Sequence, residues 1–77
     1  MATPQIIGQA VRAARKAMGL RQPELAAAAG VGLRFLVELE RGKPTVRLDR
    51  VLAVLHVLGL DLQVSARGPS PADPGAP

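Results

Sequence analysis

Residues 20–43 read LRQPELAAAAGVGLRFLVELERGK, and the fold follows from how this stretch is punctuated. Gln22-Pro23 opens a helix: Pro23 sits in the first turn, where its missing N–H costs nothing, and Glu24 lies near the positive end of the helix dipole. Leu25 to Ala29 carry that helix through about two turns. Gly30 then stops it, because glycine takes φ > 0 without strain and lets the chain change direction sharply. A further helix is predicted from Leu33 to Arg41, with Gly42 as its stop and Pro44 blocking continuation. Phe35, Leu36 and Leu39 fall on its inner side. Arg34, Val37, Glu38 and Arg41 form an outer stripe at i, i+3, i+4, i+7 spacing. Two short helices around a glycine turn, the second with a polar outer stripe, are the helix-turn-helix arrangement.

Upstream, Thr3-Pro4 predicts an N-cap with proline at the first helical position. Ile7, Val11, Ala14 and Met18 recur on one face, Gln5, Gln9, Arg12 and Lys16 lie on another, and Gly19 ends the helix. Gly8 weakens this helix by roughly 1 kcal/mol relative to alanine, and nothing in the sequence accounts for it. Downstream, Thr45 is the expected cap of a fourth helix reaching about Leu58, with Gly59 as its stop. Apolar residues run nearly all round this helix: Leu48, Leu52 and Leu55 share one face, and Val51, Ala53, Val54 and Val57 spread over the others. A domain this small cannot bury every face against its own chain, so part of that surface calls for a partner.

The period then changes from helix to strand. Leu60, Leu62 and Val64 alternate with Asp61, Gln63 and Ser65, and the pattern runs on to Ala66-Arg67. No second strand is predicted elsewhere, so its backbone groups lack a ladder, and antiparallel pairing across a two-fold axis is the economical solution. The expected homodimer interface is Val54, Val57, Leu58, Leu60, Leu62 and Val64. This divides the chain into a helical unit at 3–59, a dimerisation strand at 60–67 and a Pro/Gly/Ala-rich tail at 68–77 that should be disordered. The fold class is all-α, with four helices and one strand completed by a second copy.

Composition narrows the function. The chain has 77 residues, 48% of them hydrophobic, with one Phe, no Trp or Tyr and no Cys. The core is therefore aliphatic, and disulfides, thiol nucleophiles and cysteine-based metal sites are excluded. His56 is the single histidine, expected to be structural, so no metal or cofactor is anticipated. No Ser–His–acid set has plausible spacing, which argues against an enzyme. Apolar runs are too short to cross a bilayer and no signal-peptide pattern opens the chain, so a cytoplasmic protein is expected. Ten Lys+Arg against six Asp+Glu give a net charge of +4. Up to Lys43 there are seven basic and three acidic residues; beyond it the numbers are equal. The excess positive charge lies wholly with the helix-turn-helix half, which suits a polyanion.

The pattern Gln22, Glu24-Leu25-Ala26, Gly30, Val31, Leu36, Leu39-Glu40, Gly42 resembles the Xre/Cro-like helix-turn-helix family of repressors. The wider frame, VRAARKAMGL before it and GKPT, LDRVLAVLHVLGL and LDLQVSAR after it, is similar to HipB-type antitoxins. The resemblance covers about residues 3–67 and implies a dimeric DNA-binding autorepressor on a palindromic operator that also neutralises a HipA-like Ser/Thr kinase toxin. The alternative is a stand-alone Xre-family regulator. By the same resemblance Arg15 pairs with Glu40, either as a partly buried structural pair or as a solvated one. Gln22 contacts phosphate or simply caps its helix.

Leu33, Arg34 and Glu38 match the positions that reach base edges. Arg34 suits the O6 and N7 acceptors of guanine, the plainer reading being a surface pair with Glu38. Arg21, Arg41 and Lys43 are phosphate candidates, or solvated charges. Three positions depart from the family pattern: Gly32 replaces a Ser or Thr cap, Leu33 is apolar, and Glu38 places negative charge on the DNA side. Residues 68–77 are either an idle end or a protease entry site.

Overall fold

Thr3 starts the first helix as expected: its Oγ1 accepts the Ile6 N–H at 3.1 Å, and Pro4 takes the first helical position. The computed structural model describes residues 2–66. These form α1 (Pro4–Ala17), α2 (Gln22–Ala29), α3 (Leu33–Glu40) and α4 (Leu48–Val57). Helices α1 and α3 pack together, and α2 packs on both α3 and α4. Val11, Leu25, Leu36 and Val54 are completely buried where the four meet, with Ala26, Leu39, Val51, Leu55 and Leu58 around them. The core is aliphatic throughout, and Phe35 is only half-buried at its edge.

Several expectations are corrected. Thr45 caps nothing. Helix α4 begins at Leu48 with Arg47 as the cap residue, because the chain first seats Val46 against the core. Arg47 instead grips Asp49, donating from Nε to Oδ1 at 3.1 Å and from Nη2 to Oδ2 at 2.7 Å. Met18, in phase with the apolar face of α1, lies past the helix end and is 53% exposed. Val54 and Leu58, expected at a dimer interface, are 0% and 8% exposed and belong to the chain's own core. They are needed there because α2 is short and alanine-rich, so side chains from α4 must fill the space beneath it.

No strand is formed among the described residues. Residues 60–66 are irregular in the single chain, with Leu60 folded back on the core and its N–H bonded to the Leu55 carbonyl at 2.9 Å. Residues 67–77, which include the end of the predicted strand and the whole predicted tail, lie outside the described residues. No helix among the described residues is long and apolar enough to cross a membrane.

Gly8 now has a reason. It is buried where α1 crosses the C-terminal end of α3, and a Cβ there would lie 2.9 Å from the Glu40 carbonyl oxygen and closer still to that of Leu39. Only a residue without a side chain lets the two helix backbones come so near.

Candidate nucleic-acid interface

Gly30 makes the turn between α2 and α3 at φ +70°, while its own N–H bonds Ala27 O at 3.2 Å and that of Val31 bonds Ala26 O at 3.0 Å. Helix α3 then leaves from Gly32 with no side-chain cap. Leu36 and Leu39, 0% and 2% exposed, anchor its inner side. Its outer side is thereby presented to solvent, with Leu33 46% exposed and the Arg34 side chain 90% exposed. Glu38 and Val37 are intermediate and Arg41 is exposed.

Beneath this surface lies a polar node. Arg15 donates from Nε to Glu40 Oε2 at 2.7 Å, from Nη2 to Glu40 Oε1 at 3.0 Å and from Nη1 to the Leu20 carbonyl at 2.9 Å. Gln22 Nε2 donates to Glu40 Oε1 at 3.1 Å. The Arg15 and Glu40 side chains are 10% and 4% exposed, so the pair is the partly buried structural kind rather than a solvated one. The hydrogen bond to Glu40 holds the Arg15 guanidinium above its ordinary pKa, against the opposing effect of burial. One carboxylate on α3 therefore ties α1 and the start of α2 to α3 in a fixed arrangement. Gln22 is part of that tie, a partner the sequence did not indicate.

Beside the node a polar cleft of about 280 Å³ is lined by Arg12, Arg15, Gln22, Val37, Glu40 and Arg41. The sequence marks Arg12 only as part of the polar face of α1, not as a site residue. The available signal was its position one turn before Arg15 on the same helix, which puts both at one edge of α1. Arg21 lies just outside the cleft's lining at the start of α2, where its N–H donates to Glu24 Oε1 at 2.8 Å. That backbone bond is the main reason the Glu24 carboxyl lies below its usual range.

Just past the C-terminus of α3, Lys43 Nζ donates to Glu38 Oε1 at 3.2 Å, and from the first turn of the helix Arg34 Nε lies 3.5 Å from Glu38 Oε2. The Lys43 hydrogen bond, then its charge and that of Arg34, hold the Glu38 carboxyl below the usual range despite some desolvation. The structure thus brings Leu33, Arg34, Glu38, Arg41 and Lys43 together along α3, with Gln22 and Arg21 beside them at the start of α2.

A second surface is apolar. Leu62, 38% exposed, borders three shallow grooves: one shared with Leu48 and Pro44, one with Ile6 and Leu55, and one with Ile7 and Val64. Ile6, Leu48, Leu52 and Val64 are 51%, 60%, 44% and 94% exposed. Of the expected dimer residues, Val57 and Leu60 are half-buried, while Leu62 and Val64 face solvent.

A glycine-turned helix pair, with the second helix anchored inside and polar outside, defines a helix-turn-helix protein of the type that docks on nucleic acid. The family model described as helix-turn-helix matches residues 11–64, and the chain belongs to this Xre-like family. It is 54% identical over 66 residues to an uncharacterized HTH-type transcriptional regulator, y4mF, of Sinorhizobium fredii (strain NBRC 101917 / NGR234), covering 86% of this chain and 87% of the relative.

Proposed function

We propose that this protein is a transcriptional regulator that binds duplex DNA as a homodimer on a palindromic operator, in the cytoplasm and on the nucleoid. The observation that carries the reading is the exposed outer face of α3, locked in orientation by the Arg15–Glu40–Gln22 node. Arg34 reads a base edge from the first turn of that helix, with Leu33 against a thymine methyl or a sugar, and Glu38 one turn further on. Arg21, Gln22, Arg41 and Lys43 hold phosphates on either side, and Arg12 joins them across the polar cleft. The family membership and the relative's name support the regulatory role.

Dimerisation is supported by the apolar surface around Leu62 and by the alternating pattern of 60–67, whose backbone groups a second copy would pair. The surface is continuous with Ile6 and Leu48, which enlarges the interface beyond the residues expected from the sequence and replaces Val54 and Leu58 in it. A stand-alone regulator uses every feature described above. The antitoxin reading, with a HipA-like kinase as partner, rests on the resemblance of the frame around the motif. Co-purification with a kinase-like product of a neighbouring gene is its test.

The experiment for the main reading is selection of binding duplexes from a random pool by the purified protein. The expected outcome is a two-fold symmetric motif with half-sites about one helical turn apart and affinity falling steeply with salt. Recovery of unenriched sequence, or affinity indifferent to salt, rules the reading out.

A further inference from the structure

Glu38 is an anion on the surface that is to meet a polyanion, and in the free protein it is already engaged. Its two oxygens face cations from opposite ends of α3: Lys43 Nζ at 3.2 Å from Oε1, and Arg34 Nε at 3.5 Å from Oε2. The Lys43 side chain is 44% exposed, and Arg34 is 90% exposed and has no other ion pair among the described residues. Two of the cations flanking the reading helix are thus drawn onto one carboxylate, leaving a single net charge where the sequence supplies two.

We infer that Glu38 sets specificity by holding Arg34 and Lys43 in a closed clasp that opens only when a base edge takes their place on its carboxylate. This rests on the DNA-binding reading above. Against an arbitrary sequence the clasp stays shut. Phosphates then meet two half-neutralised cations, fewer counterions are released and binding is weak. Where the groove offers an exocyclic amine, the N4 donor of cytosine or N6 of adenine, the carboxylate gains a new partner. Lys43 is then free to reach a phosphate and Arg34 to reach a guanine. Exposed pairs of this kind are weak, so one well-placed amine suffices to open them. The discrimination comes from penalising the wrong sequence as well as favouring the right one.

The test compares wild type with Glu38→Gln on two probes, a mixed-sequence duplex and duplexes selected from a random pool, across a salt series. Thermal unfolding verifies that the substitution at half-buried Glu38 leaves the fold intact. Glu38→Gln is expected to bind the mixed-sequence duplex more tightly, with a log–log salt slope steeper by about one, so that affinity falls by a further three- to fourfold or so between about 50 and 200 mM salt. Its ratio of selected to mixed-sequence affinity should fall, and one position of its selected motif should lose its preference. In a Lys43→Ala background most of the gain on mixed sequence should vanish, because the hydrogen-bonded cation is gone. Wild-type affinity and slope in Glu38→Gln overturn the clasp, as does an undiminished gain in the Lys43→Ala background, which would mean through-space charge alone. Both results leave the DNA-binding reading standing. A wild-type protein that binds no duplex at low salt overturns both.

Discussion

Replacing Gly8 by alanine separates local helix propensity from the packing of α1 on α3, because the two predict opposite signs. In an ordinary helix interior Gly→Ala stabilises by about 1 kcal/mol. Here the new methyl would lie 2.9 Å from the Glu40 carbonyl oxygen, 3.1 Å from its carbon, and nearer still to the Leu39 oxygen. Both are backbone groups, so no side chain can rotate aside. The Leu39 carbonyl also accepts the Gly42 N–H at 3.0 Å, and moving it would undo the end of α3. Overpacking typically costs about 1–3 kcal/mol, and against backbone that cannot rotate aside the upper part of that range, about 2–3 kcal/mol, applies, which leaves a net loss of about 1–2 kcal/mol after the propensity gain of about 1 kcal/mol. For a domain of this size that is a fall of roughly 5–15 °C in Tm. The protein has no Trp or Tyr, so far-UV circular dichroism is the appropriate signal for urea and thermal unfolding. Ala13→Gly, at an exposed site in the same helix, measures the propensity difference alone and should cost about 1 kcal/mol. A Gly8→Ala protein as stable as wild type, or more so, would refute the argument.

Other outcomes follow from the same contacts. Arg15→Met removes three hydrogen bonds and leaves the Glu40 carboxylate with Gln22 alone, so urea unfolding should show a loss of about 2–4 kcal/mol, and an unchanged midpoint would contradict a structural node. The Glu24, Glu38 and Asp49 carboxyls are all held below their ordinary values of 4.5, 4.5 and 3.8 by hydrogen bonds and neighbouring cations. Their contribution is fully present above those values and is lost as pH falls through the lowered ones, so chemical denaturation should show stability declining below about pH 5; constant stability down to about pH 3 would contradict this. Val64→Asp touches a side chain 94% exposed in the single chain, so it should leave the fold within about 0.5 kcal/mol while shifting sedimentation at micromolar concentration from dimer to monomer. A variant as dimeric as wild type would detach the 60–67 segment from dimerisation.

The helix-turn-helix was legible because its signals are local. Leu25, Ala26, Leu36 and Leu39 fall on the inner faces of two short helices joined at Gly30, and all four are buried. Thr3-Pro4 announced the start of α1 for the same reason. Features that depend on distant partners did not show. Gly8 looks like a defect until α3 is laid across it. Thr45 is a sound cap by local chemistry, but the burial of Val46 outweighs it. Val54 and Leu58 looked surplus on an all-apolar helix, yet they fill the space under alanine-rich α2. The alternation at 60–66 needs a second backbone to become a strand, and one chain supplies none. At the candidate site, the Arg15–Glu40 pair came through family resemblance, whereas Gln22 on Glu40 and Lys43 on Glu38 depend on side-chain reach that spacing does not encode.

The proposal that α3 reads DNA is tested most directly through Arg34, whose side chain is 90% exposed and does not support the fold. Titrating Arg34→Ala against a selected duplex and a mixed-sequence one should show about ten- to a hundredfold weaker binding to the first, little more than the loss of one charge on the second, and a motif no longer selective at one guanine. Equal affinity and equal selectivity in wild type and variant would mean that α3 does not read DNA.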